Sequence, residues 1–599
     1  MEKRHLLIIT VIYIAVCAYY YIRMISMTFP GFPLDDSWIH QVFARNIAGG
    51  HGFSFNPGRP VAADTAPLWA IVLVPAWTIF GPVTGGIIMG VILQGIAIIA
   101  IYRLVQRITE DNNLAFLATL FSVFFWPIVW GAMSGMETGL YSALSLWGMY
   151  LFFISGRSGD IQRYGAYVLF TLSFLTRPEC ILFIAAAVIH DLVTAIKAGD
   201  KAIRPWAIKI LIIIAFTAPY LAFNYSTVGI IFPNTFSVKV MGRDLISAIM
   251  RNDLKGVLHT VTVYPYFYLQ HFYRSAVMIN PVIVLALVPG ILKFMGFHDE
   301  NRAKRIMFVL LFLGYVPLMG IFAPVTSAAW QNYRYVTNLL PMMIIIGITG
   351  LFWKTKAEYK RYKKALLITG LILTAGGIFL AFFFEYFNRT VIPFLVQNPS
   401  FLKIEDFRYL TGVIERVGMG TLLLAAMVLI GYGHSFGNFR KFIGSSLVKK
   451  LVITAALLGC LFLTIIRSQR YADNVRNVNE CDVASGKFLA RIGKPGDVVA
   501  VNDIGAIGYY SNMEIFDLWG LISKEITVEM LTNDFLTFEY MRKNKQVDYM
   551  AIAPGWFLYL PGRTDIFHPI AELKTENNTI LAQDKIIVYK AYWPDKADE

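Results

Sequence analysis

Apolar residues in this chain come in long unbroken runs, not in the 2- or 3.6-residue alternation of a water-facing fold. A bilayer crossing needs about 20 mainly apolar residues. Runs of roughly that kind recur at 5–25, 84–102, 114–131, 138–155, 164–176, 180–196, 206–224, 275–293, 306–324, 336–353, 365–384, 418–433 and 450–467. The pattern predicts a polytopic α-helical membrane protein with about thirteen transmembrane helices. One further apolar stretch, Pro67–Phe80, is short, carries two prolines and is followed by Gly81-Pro82. It reads as a re-entrant or interfacial helix.

Charge tests that reading. Lys3 and Arg4 place the N-terminus in the cytoplasm by the positive-inside rule. With thirteen spans, the inner links hold Arg103/Arg107, Arg157/Arg163, Lys197 to Lys209, Lys293 to Arg305, Lys354 to Lys364 and Arg440 to Lys450. Every inner link is then basic. If Pro67–Phe80 crossed, all these clusters would face outward. It follows that the loops 26–83, 225–274 and 385–417 are extracytoplasmic, as is the tail. The chain divides into a membrane domain, 1–469, and a soluble extracytoplasmic domain, 470–599. In the tail, DVVAVN (497–502) and VDYMAIA (547–553) read as buried strands, and 482–492 and 525–545 as helices. That is an α/β pattern. Gly505-Ala506-Ile507-Gly508 is too sparse for a dinucleotide loop and reads as a tight turn.

Composition agrees: 56% hydrophobic, 15% charged, mean hydropathy +0.56. This excludes a disordered chain and an ordinary soluble enzyme. The net charge of +14 would fit an anionic partner until it is mapped. Residues 470–599 hold 14 Lys+Arg against 19 Asp+Glu, about −5, so the membrane part carries about +19. The excess is a topology signal, and no nucleic-acid partner is expected. The four cysteines show no metal-binding spacing.

The first outer loop carries the most chemistry. Asp35 and Asp36 stand side by side just after a span, and adjacent like charges raise one pKa. The pair suits a general base or a divalent-cation site; Asp36 or Ser37 could equally cap a helix over 38–48. Glu137 opens a span, Arg177 and Glu179 stand between two apolar runs, Asn234 and Lys239 lie in the second large loop, and Tyr333-Arg334 precedes another run. All map to the outer side. Ionisable groups near membrane depth usually line a polar cavity. Acids with Arg and Lys can take a proton and hold a phosphate.

The run PLDDSWIHQVFARNIAGGHGFSFNPG, followed by TAPLW, resembles the first outer loop of the multi-span GT-C glycosyltransferases, which use polyprenyl-phosphate sugars. The resemblance is nearest to the branch of the mycobacterial terminal arabinofuranosyltransferases. Protein O-mannosyltransferases and the lipid A aminoarabinose transferase are more distant. SGMETGLYSAL, LTRPE, PNTFSVK, YRYVTNLLP and the tail run GKPGDVVAVNDIGAIGYYSNMEIFDLWGL extend it over most of the chain. The resemblance implies a GT-C fold and transfer of a sugar from a polyprenyl-phosphate donor to an extracytoplasmic glycan, lipid or protein. It implies Asp35 as catalytic base with Asp36 as partner, the two also being the candidate ligands of a divalent cation; no other cofactor is implied. Lys239, Arg177 and Arg334 are then the candidates for holding the lipid phosphate. Glu137, Glu179, Arg45, His51, Asn234 and Tyr333 are further candidate substrate contacts. His40-Gln41-Val42-Phe43-Ala44-Arg45-Asn46 stands where the family usually has Tyr-Arg-Tyr-Ala-Arg-Asn, and Ala63-Asp64-Thr65 where it has Gly-Tyr-Thr; these departures bear on the sugar more than on the reaction. The competing class is a transporter or flippase of lipid-linked sugars. Its marks, two similar halves with broken helices and a mid-membrane charge, are not seen.

Replacing Lys239 by Ala is expected to weaken donor binding at least tenfold, since a charge-assisted hydrogen bond contributes about 1.5–3 kcal/mol. Unchanged affinity for a polyprenyl-phosphate sugar would remove Lys239 from the phosphate site.

Overall fold

The computed structural model describes residues 2–240, 244–296, 299–322, 334, 339–352 and 446–594. Among these, six helices are long and apolar enough to cross a membrane: Glu2–Ile25, Pro82–Thr109, Pro178–Ala198, Ile203–Val228, Arg302–Phe322 and Ile453–Ile492. The expected spans at 365–384 and 418–433 and the loop 385–417 lie outside the described residues. The chain divides into two compact units. Met1–Ser275, Leu310–Pro341 and Cys460–Glu599 form one; Ala276–Val309 and Met342–Gly459 form the other.

Several expected spans differ in form. The run at 114–131 is two helices, Asn112–Val123 and Trp126–Met133, bent by 61°. Phe125 is extended ahead of a helix with Pro127 in its first turn, where a proline closes off any continuous helix through it. The run at 275–293 is divided among Leu254–Ile279, Pro281–Leu285 and Leu287–Gly296. The break falls at Asn280, whose side chain caps the next helix by accepting from the Ile283 N–H. The loop expected at 225–274 is largely helical: Asn234–Val240, Leu245–Met250 and most of Leu254–Ile279. Pro67–Phe80 is a helix of 14 residues, about 21 Å long at 1.5 Å per residue. That is short of a hydrocarbon core of about 30 Å.

In the first unit, Pro82–Thr109 and Thr138–Ile154 cross on glycines. A Cβ at Gly139 would come within 2.8 Å of the Gly90 carbonyl oxygen, and one at Gly90 within 2.3 Å of the Ala132 oxygen. Small residues let helix backbones touch where lipid supplies no hydrophobic drive. The basic link residues Arg163 and Lys209 both reach the buried Asp191, at 2.6 and 2.5 Å. In the second unit, Gly350 similarly lies against the Ala286 carbonyl, and Lys293 donates to the Gly350 oxygen at 2.6 Å.

The helix Ser446–Val478 runs without a break across 469/470 and continues through a π turn into Ala484–Ile492. It leads into a five-stranded sheet with strands β1 (Val498–Val501), β2 (Glu514–Asp517), β3 (Tyr549–Ile552), β4 (Phe567–Lys574) and β5 (Lys585–Ala591). Their order is β2-β1-β3-β5-β4; β2, β1 and β3 are parallel, and β5 is antiparallel to both its neighbours. Side chains alternate between faces along a strand. Ala500, Phe516, Met550 and Ile552 face a core with Phe538 and Met541 of the helix Asp534–Asn544. Val499, Val501, Ile515, Tyr549 and Val588 face the other way. There they share one core with Ile39, Val42 and Phe43 of the helix Asp36–Ala48, and with Phe55. The first loop is thus one of the layers that cover the tail's sheet.

Polar contacts fix this docking. Asn56 pairs with Ile515 of β2 as a strand would, donating to its oxygen and accepting from its N–H, both at 2.9 Å. Arg45 donates to the Tyr509 carbonyl at 2.7 Å. The Gly505–Gly508 stretch is the start of a short helix, Gly505–Tyr510, not a bare turn. Its glycines admit the first loop: a Cβ at Gly505 would lie 2.1 Å from the Asp35 oxygen, and one at Gly508 2.7 Å from the Phe55 ring.

Asn56→Ala removes both bonds and leaves the Ile515 amide short of a partner, a cost of about 1–3 kcal/mol. The expected result is faster limited proteolysis of the tail and a lower thermal midpoint. An unchanged midpoint and cleavage rate would show that this pairing does not hold the loop to β2.

Candidate active site

Asp35 and Asp36 are adjacent but serve different partners. Asp35 is at the N-terminal boundary of the helix Asp36–Ala48, already in helical conformation. Its two carboxylate oxygens accept from the Gly505 and Ala506 N–H groups of the tail, each at 2.7 Å. Asp36 is ion-paired with Arg334 and lies on the wall of a cavity of about 870 Å³.

That cavity gathers five of the eleven expected residues. Its polar wall includes Asp36, Glu137, Arg177, Glu179 and Arg334, together with His40 and Asp64. Its apolar wall comes from Ile181, Leu182, Leu318, Met319 and Phe322, with Phe232 and Phe236 from the second loop. The charged groups form a chain. Asp64 is 2.9 Å from His40 Nδ1, and His40 Nε2 is 3.4 Å from Glu137. Arg177 reaches Glu137 at 2.6 Å and Glu179 at 2.9 Å. Burial alone would strip the proton from His40, but the Asp64 carboxylate, and then Glu137, hold its pKa up to about 10. Burial would likewise protonate Glu137; the His40 hydrogen bond and the Arg177 charge overcome it and keep the carboxylate well below its ordinary range. Arg177 is held by two carboxylates, so its contribution to a phosphate site is offset by them. One oxygen of Glu179 is buried with no hydrogen-bond partner.

Arg45, His51 and Asn234 go elsewhere. Arg45 and His51 line a separate cleft between the first loop and the tail. Asn234 starts the helix Asn234–Val240; its N–H bonds to the Ala62 oxygen at 2.8 Å and its amide to the Gly520 carbonyl. Lys239 lies on that helix, its side chain outside the described structure, and Tyr333 lies outside the described residues. His40 and Asp64 belong to the two stretches that depart from the family pattern. Their pairing across 24 residues has no local signal.

The acid pair does not suit a shared divalent cation. Asp35 is turned to backbone donors and Asp36 to Arg334. Among the described residues no group of three or more His, Cys, Asp or Glu is arranged to hold a metal. Behind Asp35 the tail brings further acids. Asp482 is fully buried, with neither carboxylate oxygen hydrogen-bonded. Asp503, bonded to Asn502 at 2.8 Å, is pushed up to about 8 by burial and then by the charges of Asp35 and Asp36. Asp35 itself is raised to about 7, chiefly by burial, against the pull of its two amide bonds.

Comparison with known proteins places the architecture. A family model described as "Domain of unknown function (DUF8728)" matches residues 465–590. No curated protein matches the chain. Among solved structures, ArnT from Cupriavidus metallidurans bound to undecaprenyl phosphate superposes with a TM-score of 0.51 at 11% identity, covering 97% of each chain. The Archaeoglobus fulgidus oligosaccharyltransferase in its apo form gives 0.49 at 11% identity, covering 92% of this chain and 69% of that one. The fold is that of the GT-C membrane proteins, with a C-terminal sheet-containing domain.

The raised carboxyls set a pH dependence. A group protonated more readily in the folded state contributes stability at low pH, and loses it as pH rises from the unfolded to the folded pKa. For Asp503 that window runs from about 3.8 to about 8. Asp503→Asn, whose amide oxygen still accepts from Asn502, is expected to raise the thermal midpoint at pH 8 and to change it little near pH 4. An equal gain at both pH values would rule out the charge as the cause.

Proposed function

We propose that the protein is an integral membrane glycosyltransferase that moves a sugar from a polyprenyl-phosphate donor to an extracytoplasmic hydroxyl. The observation that carries this is the cavity itself: a carboxylate, a cluster of buried acids and arginines and a long apolar wall meet in one space on a GT-C fold. A lipid tail fits the apolar wall at Leu318, Met319 and Phe322, with its phosphate-sugar toward Arg334. ArnT from Cupriavidus metallidurans, one of the structural neighbours, was solved with undecaprenyl phosphate. The first-loop motif favours the arabinofuranosyltransferase branch, and the basic inner links favour a cytoplasmic N-terminus with the cavity and tail outside.

In this reading Asp36, not Asp35, is the base, because Asp36 is the member of the pair on the cavity wall. Asp36 takes the proton of the acceptor hydroxyl. That oxygen attacks the anomeric carbon as the bond to the phosphate oxygen breaks, and polyprenyl phosphate leaves with the electron pair. A single displacement inverts the anomeric centre. Arg334 sits where it can serve both the base and the leaving phosphate. Its preorganised charge is strongest in a dry cavity, and Lys239 is the second candidate cation. His40, Asp64, Glu137 and Arg177 hold the wall in place.

General bases contribute about 10²–10⁴ in rate. Asp36→Asn is therefore expected to lower release of free polyprenyl phosphate at least a hundredfold, with the protein folded and inserted. Asp35→Asn should show first as a lower thermal midpoint, through the tail contact. If Asp35→Asn loses turnover as fully as Asp36→Asn at an unchanged midpoint, the base is Asp35. Release of no polyprenyl phosphate from any donor by the wild-type protein would overturn the transferase reading.

A further inference from the structure

A second cleft, about 630 Å³ in volume, opens between the far end of the helix Asp36–Ala48, the end of the helix Pro67–Phe80, and the tail. Its size falls within the roughly 300–1,000 Å³ of ordinary ligand sites. We infer that it binds a neutral carbohydrate chain, the acceptor glycan of the reaction proposed above, on which this inference rests.

The chemistry of the wall favours a neutral, hydroxyl-rich ligand over an anion. The two arginines lining it are already committed. Arg45 donates to the Tyr509 and Gly508 carbonyls, at 2.7 and 3.4 Å, and lies over the Tyr509 ring. Arg59 is paired with Glu514, which also holds Lys545. A phosphate or nucleotide would compete with these contacts for both arginines. What the cleft offers instead is a half-buried indole, Trp77, fixed by its N–H to the Tyr509 hydroxyl at 3.2 Å. Around it stand exposed hydrogen-bonding side chains: His51, Thr78 and Asn512. An aromatic face with scattered polar groups suits sugar rings, which present C–H faces and hydroxyl edges.

Position supports the same occupant. One helix serves both spaces. Asp36 and His40 wall the catalytic cavity, and Arg45 and Ala48 wall the cleft. The nine residue steps from Asp36 to Arg45 rise about 14 Å at 1.5 Å each. A chain bound in the cleft would be registered against the base by a rigid element that also carries it.

The test uses the full-length protein in nanodiscs, with a panel of free oligosaccharides of pentoses, hexoses and N-acetylhexosamines, and with inorganic pyrophosphate. Binding is read by titration calorimetry and by saturation-transfer NMR. At least one oligosaccharide should bind. Ala48→Trp, which fills the cleft from an exposed position, should weaken it at least tenfold, and His51→Ala should weaken it measurably. Asp36→Asn, in the other cavity, should leave binding within twofold. Binding by no oligosaccharide overturns the inference. So does binding lost in Asp36→Asn but kept in Ala48→Trp, which would put the glycan in the catalytic cavity. Pyrophosphate that competes at the cleft overturns the neutral-ligand assignment. None of these readouts depends on polyprenyl phosphate release, so the transferase reading and the glycan cleft can fail separately.

Discussion

A sheet whose two faces are both apolar must be covered on both. In the tail one cover is supplied from within, by Asp534–Asn544. The other comes in part from more than 400 residues earlier: Ile39, Val42 and Phe43, one side of the first-loop helix, complete the core over Val499, Val501 and Ile515. Fully burying side chains of this kind stabilises by about 1.5–3 kcal/mol each. The docking is therefore an extension of the domain core and more than a surface contact. The first loop cannot move independently of the tail without opening that core. Every chemical group on the loop inherits its position from the sheet.

The two aspartates show what that coupling does. Successive residues of a helix are turned by about 100°, since 3.6 residues make a turn. Asp35 is already helical, so it and Asp36 project along different directions by necessity. One meets the amides that begin Gly505–Tyr510; the other meets Arg334 at the cavity. Adjacency in sequence, which reads as a shared acid pair, becomes a division of labour. The tail grips the helix at the residue before the catalytic candidate. The glycines at 505 and 508 are needed because the loop's backbone and the Phe55 ring come too close for any side chain.

Hydropathy made the membrane architecture legible, because the bilayer filters residues by polarity over long windows. The strands β1 and β3 were legible for the same reason, as buried apolar segments. What was not legible depends on partners far away in sequence. β2 (EIFD) is four residues with acids at both ends, and it takes its identity from pairing with β1. β4 is exposed at His568, Pro569 and Ile570 in succession and again at Glu572 and Lys574, so it carries no apolar run. The helices between 234 and 279 were hidden in a stretch read as a loop because it is interrupted by charged and polar residues. For the site, residue types were readable: Asp36, Glu137, Arg177, Glu179 and Arg334 do meet. The separation of Arg45 and His51 from them was not, since it depends on Arg45 lying at the far end of the helix Asp36–Ala48 and His51 in the loop just beyond it.

Electrostatics then constrains what the cavity can accept. Along Asp64, His40, Glu137, Arg177 and Glu179 the charges alternate in space. Breaking a buried pair typically costs about 3–5 kcal/mol because it strands its partner. The chain is therefore stable as a unit and poor at giving up any member to a ligand. With His40 protonated it carries three negative charges and two positive. The Asp36–Arg334 pair adds nothing to the sum, so the described charged wall is net negative. An anionic phosphate entering such a space needs a cation that is not locked between acids. Arg177 is locked in this sense, held by Glu137 and Glu179. Arg334 is paired with Asp36, and drawing it toward a phosphate would leave Asp36 a stronger base. Donor binding and activation of the acceptor would then be one event, with the rigid chain behind them keeping the distance between them fixed.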